Sequence, residues 1–296
     1  EIKSWAANGV SPSALNKYNN CSLQFYYHYL AKIRKDDGVD EFADASTMGT
    51  AIHNALELHY PDGILTQSYI KEHTKAILAT VKTEFETELS AQGMKEGKNY
   101  LSLQIAQKLT KDFLNLELQL LDTAANQNKQ VTIAAKEEAL EHQLTIDGVD
   151  FKLIGKADRI DFEGDLLRII DYKTGKVEDN EVVITEYDEI ITNPKKAKAF
   201  QLLMYAYLYL KMNPQYIGFD VVAGNFSFKN LKSGLIKVSK KISFNEKQAI
   251  NVDANALDSF EEQLELVLMQ IMNNDFVQTD VVSACEWCDY KTVCKR

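Results

Sequence analysis

An acidic and a basic side chain stand two residues apart at the end of a largely apolar run in the stretch LLRIIDYKTGK. The run covers residues 166–170, and Asp171 and Lys173 follow it. The pattern predicts a strand, and side chains two apart on a strand point to the same face. A salt bridge on an exposed sheet face is the simplest interpretation. However, the strand is more apolar than a strand with a solvent-exposed face would be, and this favours a chemical role for the pair.

A second carboxylate is predicted to lie beside this pair. The stretch FKLIGKADRIDF at 151–162 also reads as a strand, and Gly164-Asp165 suits a two-residue hairpin loop. Counting outward from that loop places Asp158 directly opposite Asp171, about 5 Å away on the same face. Two carboxylates so close repel each other unless a positive charge lies between them. A hard divalent cation such as Mg²⁺ prefers oxygen ligands, so we expect a metal site here.

A third carboxylate is available on the strand predicted at 131–146, VTIAAKEEALEHQLTI. Glu137 and Glu138 are adjacent there, and strand alternation alone cannot choose between them. We prefer Glu137 on the resemblance given below.

The cysteines form the second notable pattern. Three of them make a C-x₂-C-x₅-C array in CEWCDYKTVC near the C-terminus, and the fourth lies near the N-terminus: Cys285, Cys288, Cys294 and Cys21. Such a set is typical of a tetrathiolate metal site, either zinc or an iron–sulfur cluster. Two disulfides are the alternative, but the N-terminus lacks the layout of a secretory signal, which favours a reducing, cytoplasmic compartment. A metal here would join the two ends of the chain.

Composition and charge fit a globular protein without a membrane span. The 296 residues are 45% hydrophobic and 26% charged, with a net charge of −10. Residues 190–241 nevertheless contain nine Lys and one acid, a local charge of +8. Lys195, Lys196 and Lys198 lie in this block, which suits either a phosphate-binding face or a solvated surface. The chain does not start with Met, so we expect a fragment of a larger protein.

The remaining pattern predicts one domain over 1–296 with helices around a β core. Helices are predicted at 45–60, 199–212 and 255–273, and a helical insertion at about 64–126. GFDVVAGNFSF and GLIKVSKKISF read as further strands. The cysteine-rich tail covers 285–294.

These motifs together resemble the PD-(D/E)XK nuclease superfamily, in its RecB-like branch, and most closely the C-terminal nuclease domains of AddB-type helicase–nuclease subunits. The resemblance covers nearly the whole chain. It rests on SPSALNKYNNCSLQFYYHYL, GTAIH, GKADRID, IIDYKTGK and QLLMYAYLY, in this order, and on the cysteine tail. The residues that match the family's motifs, apart from the cysteines, are His53, Asp158, Asp171, Lys173, Gln201 and Tyr205.

The resemblance implies an α/β fold of the restriction-endonuclease type, in which helices flank a mixed central sheet. It implies a Mg²⁺- or Mn²⁺-dependent deoxyribonuclease, acting in DNA repair and recombination with a helicase partner. The implied metal ligands are His53, Asp158, Asp171 and the backbone carbonyl of Tyr172, and Glu137 is preferred over Glu138 because the family's Glu usually stands three residues before an apolar one.

The resemblance also implies roles outside the metal site. Lys173 would orient water or stabilise the developing charge, and Gln201 and Tyr205 would touch the DNA backbone unless they only pack the helix. A 4Fe–4S cluster on the four cysteines is implied, with zinc as the alternative.

Three other functions fit parts of the sequence. A CRISPR-adaptation-type nuclease shares the cysteine set and the active site, but the long helical insertion fits that family less well. A non-catalytic DNA-binding relative would lack the core Asp or Lys, and this chain keeps both. Restriction endonucleases seldom carry the cysteine set.

Overall fold

Ten α-helices and nine strands make up the computed structural model, which describes residues 1–33, 45–88 and 97–295. The helices are α1 (Ile2–Asn8), α2 (Pro12–Asn20), α3 (Ser22–Phe25), α4 (Ala45–His59), α5 (Gln67–Glu88), α6 (Gly97–Asn126), α7 (Asp179–Val182), α8 (Glu189–Thr192), α9 (Ala197–Met212) and α10 (Ala254–Asn273). The strands are β1 (Gly63–Leu65), β2 (Val131–Ile146), β3 (Val149–Glu163), β4 (Leu166–Lys173), β5 (Val183–Ile184), β6 (Val221–Ser227), β7 (Leu235–Lys237), β8 (Ser239–Lys241) and β9 (Lys247–Ala249). A π-helical turn, Tyr26–Leu30, continues α3.

The central sheet is mixed and has six strands in the order β1-β2-β3-β4-β6-β7. β4 and β6 run parallel, whereas the other neighbouring strands run antiparallel. The chain between β4 and β6 includes α9, which provides the long crossover that a parallel pair requires. A small second sheet has the order β5-β8-β9. The predicted mixed α/β architecture, with helices flanking a central sheet, is therefore confirmed.

Helices cover both faces of the central sheet, and each face has its own hydrophobic core. On one face, Leu167 and Ile169 of β4 are buried with side chains of α1, α2, α9 and α10. On the other face, Ile170 and Tyr172 are buried with side chains of α4, α5 and α6. This explains why β4 is apolar on both sides: a strand covered by helices on both faces has no solvated side.

The predicted hairpin between β3 and β4 is confirmed. Glu163 pairs with Leu166, and the ladder continues to the pair Arg159–Ile170. Gly164 has φ of +61°, a left-handed conformation that glycine adopts without steric cost. The next pair would join Asp158 and Asp171, but the backbone ladder stops one step before it.

Two predicted segments differ from the structure. The insertion at 64–126 is not helical throughout, because residues 63–65 form the edge strand β1, which pairs with β2. Its residues 89–96 lie outside the described part of the chain. The single strand predicted from GLIKVSKKISF is two short strands, because β7 pairs with β6 in the central sheet whereas β8 pairs with β5 and β9 in the small one.

Candidate metal-dependent active site

Three side chains from three elements meet beside the middle of the β2–β3 ladder. His53 comes from α4, Glu137 from β2 and Asp158 from β3. The His53 Nδ1 atom lies 3.4 Å from Asp158 Oδ1 and 3.8 Å from Glu137 Oε1. All three side chains are mostly buried, with 24%, 11% and 10% of their surface exposed. In the described part of the chain, these residues form the one group of three or more His, Cys, Asp or Glu whose ligand atoms all lie within 4.8 Å.

The strand alternation breaks where this group forms. Ala157 and Ile160 are three residues apart, yet both are buried in the core beneath α9. Regular alternation would place them on opposite faces, so the strand turns over between them, at Asp158 and Arg159. On the neighbouring strand, Glu137 has φ of +48°, a conformation that side-chain-bearing residues rarely adopt. Such local strain is typical of functional sites.

The choice between the two adjacent glutamates follows from this geometry. Glu138 pairs with Ala157 in the ladder, and its charge acts on Tyr209 of α9. Glu137 instead joins His53 and Asp158. Of the two glutamates, Glu137 is therefore the one placed at the site.

Asp158 also connects β3 to β4 through its side chain. Its Oδ2 atom accepts a hydrogen bond from the Tyr172 backbone N–H at 2.5 Å. The carboxylate thus takes the place of a backbone acceptor beyond the last ladder pair. This contact fixes Asp158 beside the end of β4, next to Asp171.

Asp171 is buried and held by two donors. The Lys173 ammonium lies 3.0 Å from Oδ1 and 2.8 Å from Oδ2, and Asn225 Nδ2 donates to Oδ2 at 2.7 Å. Asn225 reaches this position because β6 runs parallel to β4 with Asn225 opposite Asp171. Asp171 is adjacent to the three-residue group but is not part of it.

The loop after Lys173 is anchored to the end of β6. Ser227 Oγ accepts a hydrogen bond from the Val177 N–H at 3.0 Å and donates to the Gly175 carbonyl at 2.9 Å. The Phe228 N–H donates to the Lys173 carbonyl at 2.9 Å. These bonds fix the backbone at the end of β4, where Lys173 lies.

Two acidic groups of the site, Asp171 and Glu137, have raised pKa values and hold their protons more tightly than isolated carboxyl groups. Burial raises the pKa of Asp171 to about 6; the Lys173 charge opposes this rise and the Asp158 charge adds to it. Burial also raises the pKa of Glu137, and Lys156 and His53 offset only part of the rise. Burial lowers the pKa of His53, but Asp158, Asp171 and Glu137 outweigh it and the net shift is upward. A cation would relieve this accumulation of negative charge.

The spacing of the group fits a hard divalent metal. Two ligands at about 2.1 Å from Mg²⁺ lie about 3.0 Å apart in adjacent octahedral positions and about 4.2 Å apart in opposite ones. The separations of 3.4 Å and 3.8 Å from His53 fall within this range. Two carboxylates suit Mg²⁺ or Mn²⁺, and the imidazole shifts the preference toward the transition metal.

A buried ionic network lies beneath the site, on the side of α6. Arg159, next to Asp158, is 1% exposed; its Nη1 atom donates to Glu117 at 2.9 Å and 3.0 Å, and its Nε to Asp161 at 2.5 Å. Asp161 also accepts from Arg168 at 2.6 Å and 3.0 Å, and the Tyr60 hydroxyl donates to Glu117 at 2.6 Å. The network therefore links the long helix α6 and the end of α4 to the strand that carries Asp158.

Gln201 and Tyr205 lie on α9 with their side chains bonded to each other. Gln201 Nε2 donates to the Tyr205 hydroxyl at 2.7 Å. The Tyr205 ring packs on Gly155 of β3, where an added Cβ would come within 3.0 Å of the ring. Tyr205 is only 7% exposed, so its ring serves mainly as packing between α9 and β3.

Two of the three predicted DNA-binding lysines have partners within the chain. Lys196 Nζ donates to the backbone carbonyls of Asn180 at 2.7 Å and Val183 at 2.5 Å. Lys198 forms an ion pair with Glu181. Lys195 is exposed. The arrangement ties the start of α9 to the segment after β4, and it leaves Lys195 the most accessible of the three.

The cysteine-bearing segments from the two ends of the chain are in contact. The Val277 carbonyl accepts from Ser22 Oγ at 3.0 Å and lies 3.9 Å from Cys21 Sγ, and Gln278 Nε2 lies 3.5 Å from the Cys294 carbonyl. Cys285 is buried, and Cys21, Cys285 and Cys288 carry free thiols. In the described residues, no three cysteine sulfurs lie within 4.8 Å of one another.

Three residues at or near the site were not singled out from the sequence. Asn225 is a polar residue inside an otherwise apolar strand, which is a usable signal. Arg159 stands among other charged residues in GKADRIDF, so the sequence gives no comparable signal for it. Lys156 stands two residues before Asp158, and its Nζ lies 2.6 Å from Glu137 Oε2. Nothing in the sequence pairs it with Glu137.

No described helix combines the length and apolar character needed to cross a membrane. The sequence matches no curated protein. Among solved structures, it matches one titled "Crystal structure of SSO0001" with 11% identity, over 84% of this chain and 94% of that one, at a TM-score of 0.28. The family model described as the PD-(D/E)XK nuclease superfamily matches residues 9–295. The chain thus belongs to the PD-(D/E)XK nuclease superfamily.

Proposed function

We propose that the protein is a Mg²⁺- or Mn²⁺-dependent deoxyribonuclease that hydrolyses phosphodiester bonds, with the activity of an exonuclease. The observation that carries this proposal is the His53, Glu137 and Asp158 group, spaced for one metal and placed beside Asp171 and Lys173. Membership of the superfamily supports a metal-dependent nuclease.

Each side chain has a distinct role in the proposed reaction. His53, Glu137, Asp158, Asp171 and the Tyr172 carbonyl would hold the metal, which supplies activation of water and neutralisation of phosphate charge. Lys173 lies at the mouth of the site, 29% exposed, where its ammonium can orient water or stabilise charge on the phosphate. Asn225 keeps the Asp171 carboxylate in one orientation.

We assign the chain to a RecB- or AddB-like helicase–nuclease system acting in DNA repair and recombination in the cytoplasm. The support is the order of the motifs along the chain, which we interpret as a single domain over 1–296, and the contact between its two ends. We also propose that Cys21, Cys285, Cys288 and Cys294 hold a 4Fe–4S cluster, with zinc as the alternative. The support is the set of four cysteines, three of them in a C-x₂-C-x₅-C array, and the contact between the two chain ends that carry them.

The proposed DNA contacts come from α9 and the segment before it. The phosphate backbone would be contacted by Gln201, Lys195, Lys196 and Lys198. Tyr205 would hold the Gln201 side chain in place through the hydrogen bond between them. Binding of this kind is independent of sequence and weakens with salt.

Digestion of end-labelled single- and double-stranded DNA with Mg²⁺ or Mn²⁺ tests the function. The wild type should cleave, and Lys173→Ala should be about 10²–10³ times slower, the usual loss for a group that stabilises charge in the transition state. Lys176→Ala is the matched control, because Lys176 is 62% exposed in the same loop and pairs only with Glu178 among the contacts seen. DNA that is bound but not cut would favour a non-catalytic relative. Equal rates in Lys173→Ala and the wild type would refute the assignment.

A further inference from the structure

Lys156 bridges the candidate metal site to solvent. Its Nζ lies 2.6 Å from Glu137 Oε2, while the other oxygen of that carboxylate, Oε1, faces His53. The Glu137 side chain is 11% exposed, whereas the Lys156 side chain is 59% exposed. One carboxylate thus has one oxygen in the metal group and the other on an ammonium that reaches into water.

The ammonium neutralises a charge that would otherwise be costly. Glu137 is close to Asp158 and mostly buried, and the charges of both act on Lys156. In the metal-free protein, Lys156 supplies positive charge at the edge of the site. A divalent ion that binds Glu137 brings two further positive charges close to that ammonium, and like charges at short range repel.

We propose that Lys156 is an exchangeable counter-ion: it holds Glu137 before the metal binds, and it then turns to a phosphate of the DNA substrate. This inference rests on the proposed function. Its consequence is a coupling between metal and DNA, because a phosphate that takes up the Lys156 charge removes the repulsion and tightens metal binding. By thermodynamic linkage, the metal tightens DNA binding by the same factor.

The same two strands provide a matched control pair. Lys152 of β3 lies 2.9 Å from Glu141 of β2, and the two side chains are 42% and 64% exposed. Lys156 pairs in register with Ala139, and Lys152 with Gln143, so each lysine bonds to the glutamate two residues before its register partner. The control pair has the same geometry about 13 Å along the strands, away from the metal group.

Calorimetric titration of Mn²⁺ into the metal-free, DNA-free protein tests the exchange without relying on activity. Lys156→Met should bind Mn²⁺ about tenfold more tightly than the wild type, because a unit positive charge next to the site is gone. Lys156→Arg and Lys152→Met should bind Mn²⁺ like the wild type. In cleavage assays, Lys156→Met should lower kcat/KM and reduce its logarithmic salt slope by about 0.7 to 0.9, the contribution of one phosphate contact.

The outcomes separate this inference from the function it rests on. Equal Mn²⁺ affinity in Lys156→Met and the wild type, or equal tightening in Lys152→Met, would overturn the counter-ion role and leave the nuclease assignment standing. A wild-type protein that binds no Mn²⁺ would remove the metal site, and both proposals with it.

Discussion

Replacement of Arg159 with Met tests whether the buried network holds the scaffold of the site. Arg159 is 1% exposed, and its partners Glu117 and Asp161 have side chains that are 4% and 0% exposed. Methionine fills similar space but carries no charge. Asp161 keeps Arg168, whereas Glu117 keeps only the Tyr60 hydroxyl among the contacts seen. Removing one partner of a buried pair typically costs about 3–5 kcal/mol.

The expected loss is large enough to measure without ambiguity. At about 2 °C per kcal/mol, it corresponds to a fall in melting temperature of roughly 6–10 °C. Chemical denaturation should show the full loss for Arg159→Met and a smaller loss for Arg159→Met combined with Glu117→Gln, because the second change removes the unpaired charge.

The control is Lys108→Met on α6, since Lys108 is 74% exposed and pairs with Asp112, and such pairs contribute about 0.5 kcal/mol or less. Equal losses in Arg159→Met and Lys108→Met would refute the reasoning, as would no recovery in the double variant.

Three further predictions concern the site and its surroundings. Asp171→Asn should abolish cleavage. Burial raises the pKa of Asp171 to about 6 from about 3.9 in the unfolded chain, so the metal-free wild type should lose stability as pH rises from 4 to 6. Denaturation should show the Asp171→Asn variant becoming more stable relative to the wild type over that window, and parallel pH profiles of the two would contradict this. Cys21→Ala should lower the free energy of unfolding by about 4–5 kcal/mol, by analogy with a cross-link closing so long a loop, and should bleach a brown protein purified without oxygen; an unchanged melting temperature would count against the cysteine staple. Replacing Lys195, Lys196 and Lys198 with Ala should flatten the salt dependence of DNA binding, and an unchanged slope would return them to a purely structural role.

The features of this fold that depend on local interactions could be predicted from the sequence. The β3–β4 hairpin follows from a two-residue turn at 164–165, because the turn fixes the register of the strands on either side. The helices α4, α9 and α10 begin and end within two residues of their predicted bounds, because apolar periodicity reports the buried face of a helix. Asp158, Asp171 and Lys173 could therefore be placed near one another without a structure.

Contacts between distant segments required the tertiary structure. No turn joins β4 to the parallel strand β6, so nothing in the sequence sets Asn225 opposite Asp171. Strand alternation could not choose between Glu137 and Glu138, and the structure shows that Glu137 has a positive φ, which departs from regular strand geometry.

The ion pairs around the site also required the tertiary structure. The bonds from Arg159 to Glu117 and from Lys156 to Glu137 depend on how helices and strands pack. Sequence periodicity shows which face of an element is buried, but only packing between layers decides which charged side chains meet there.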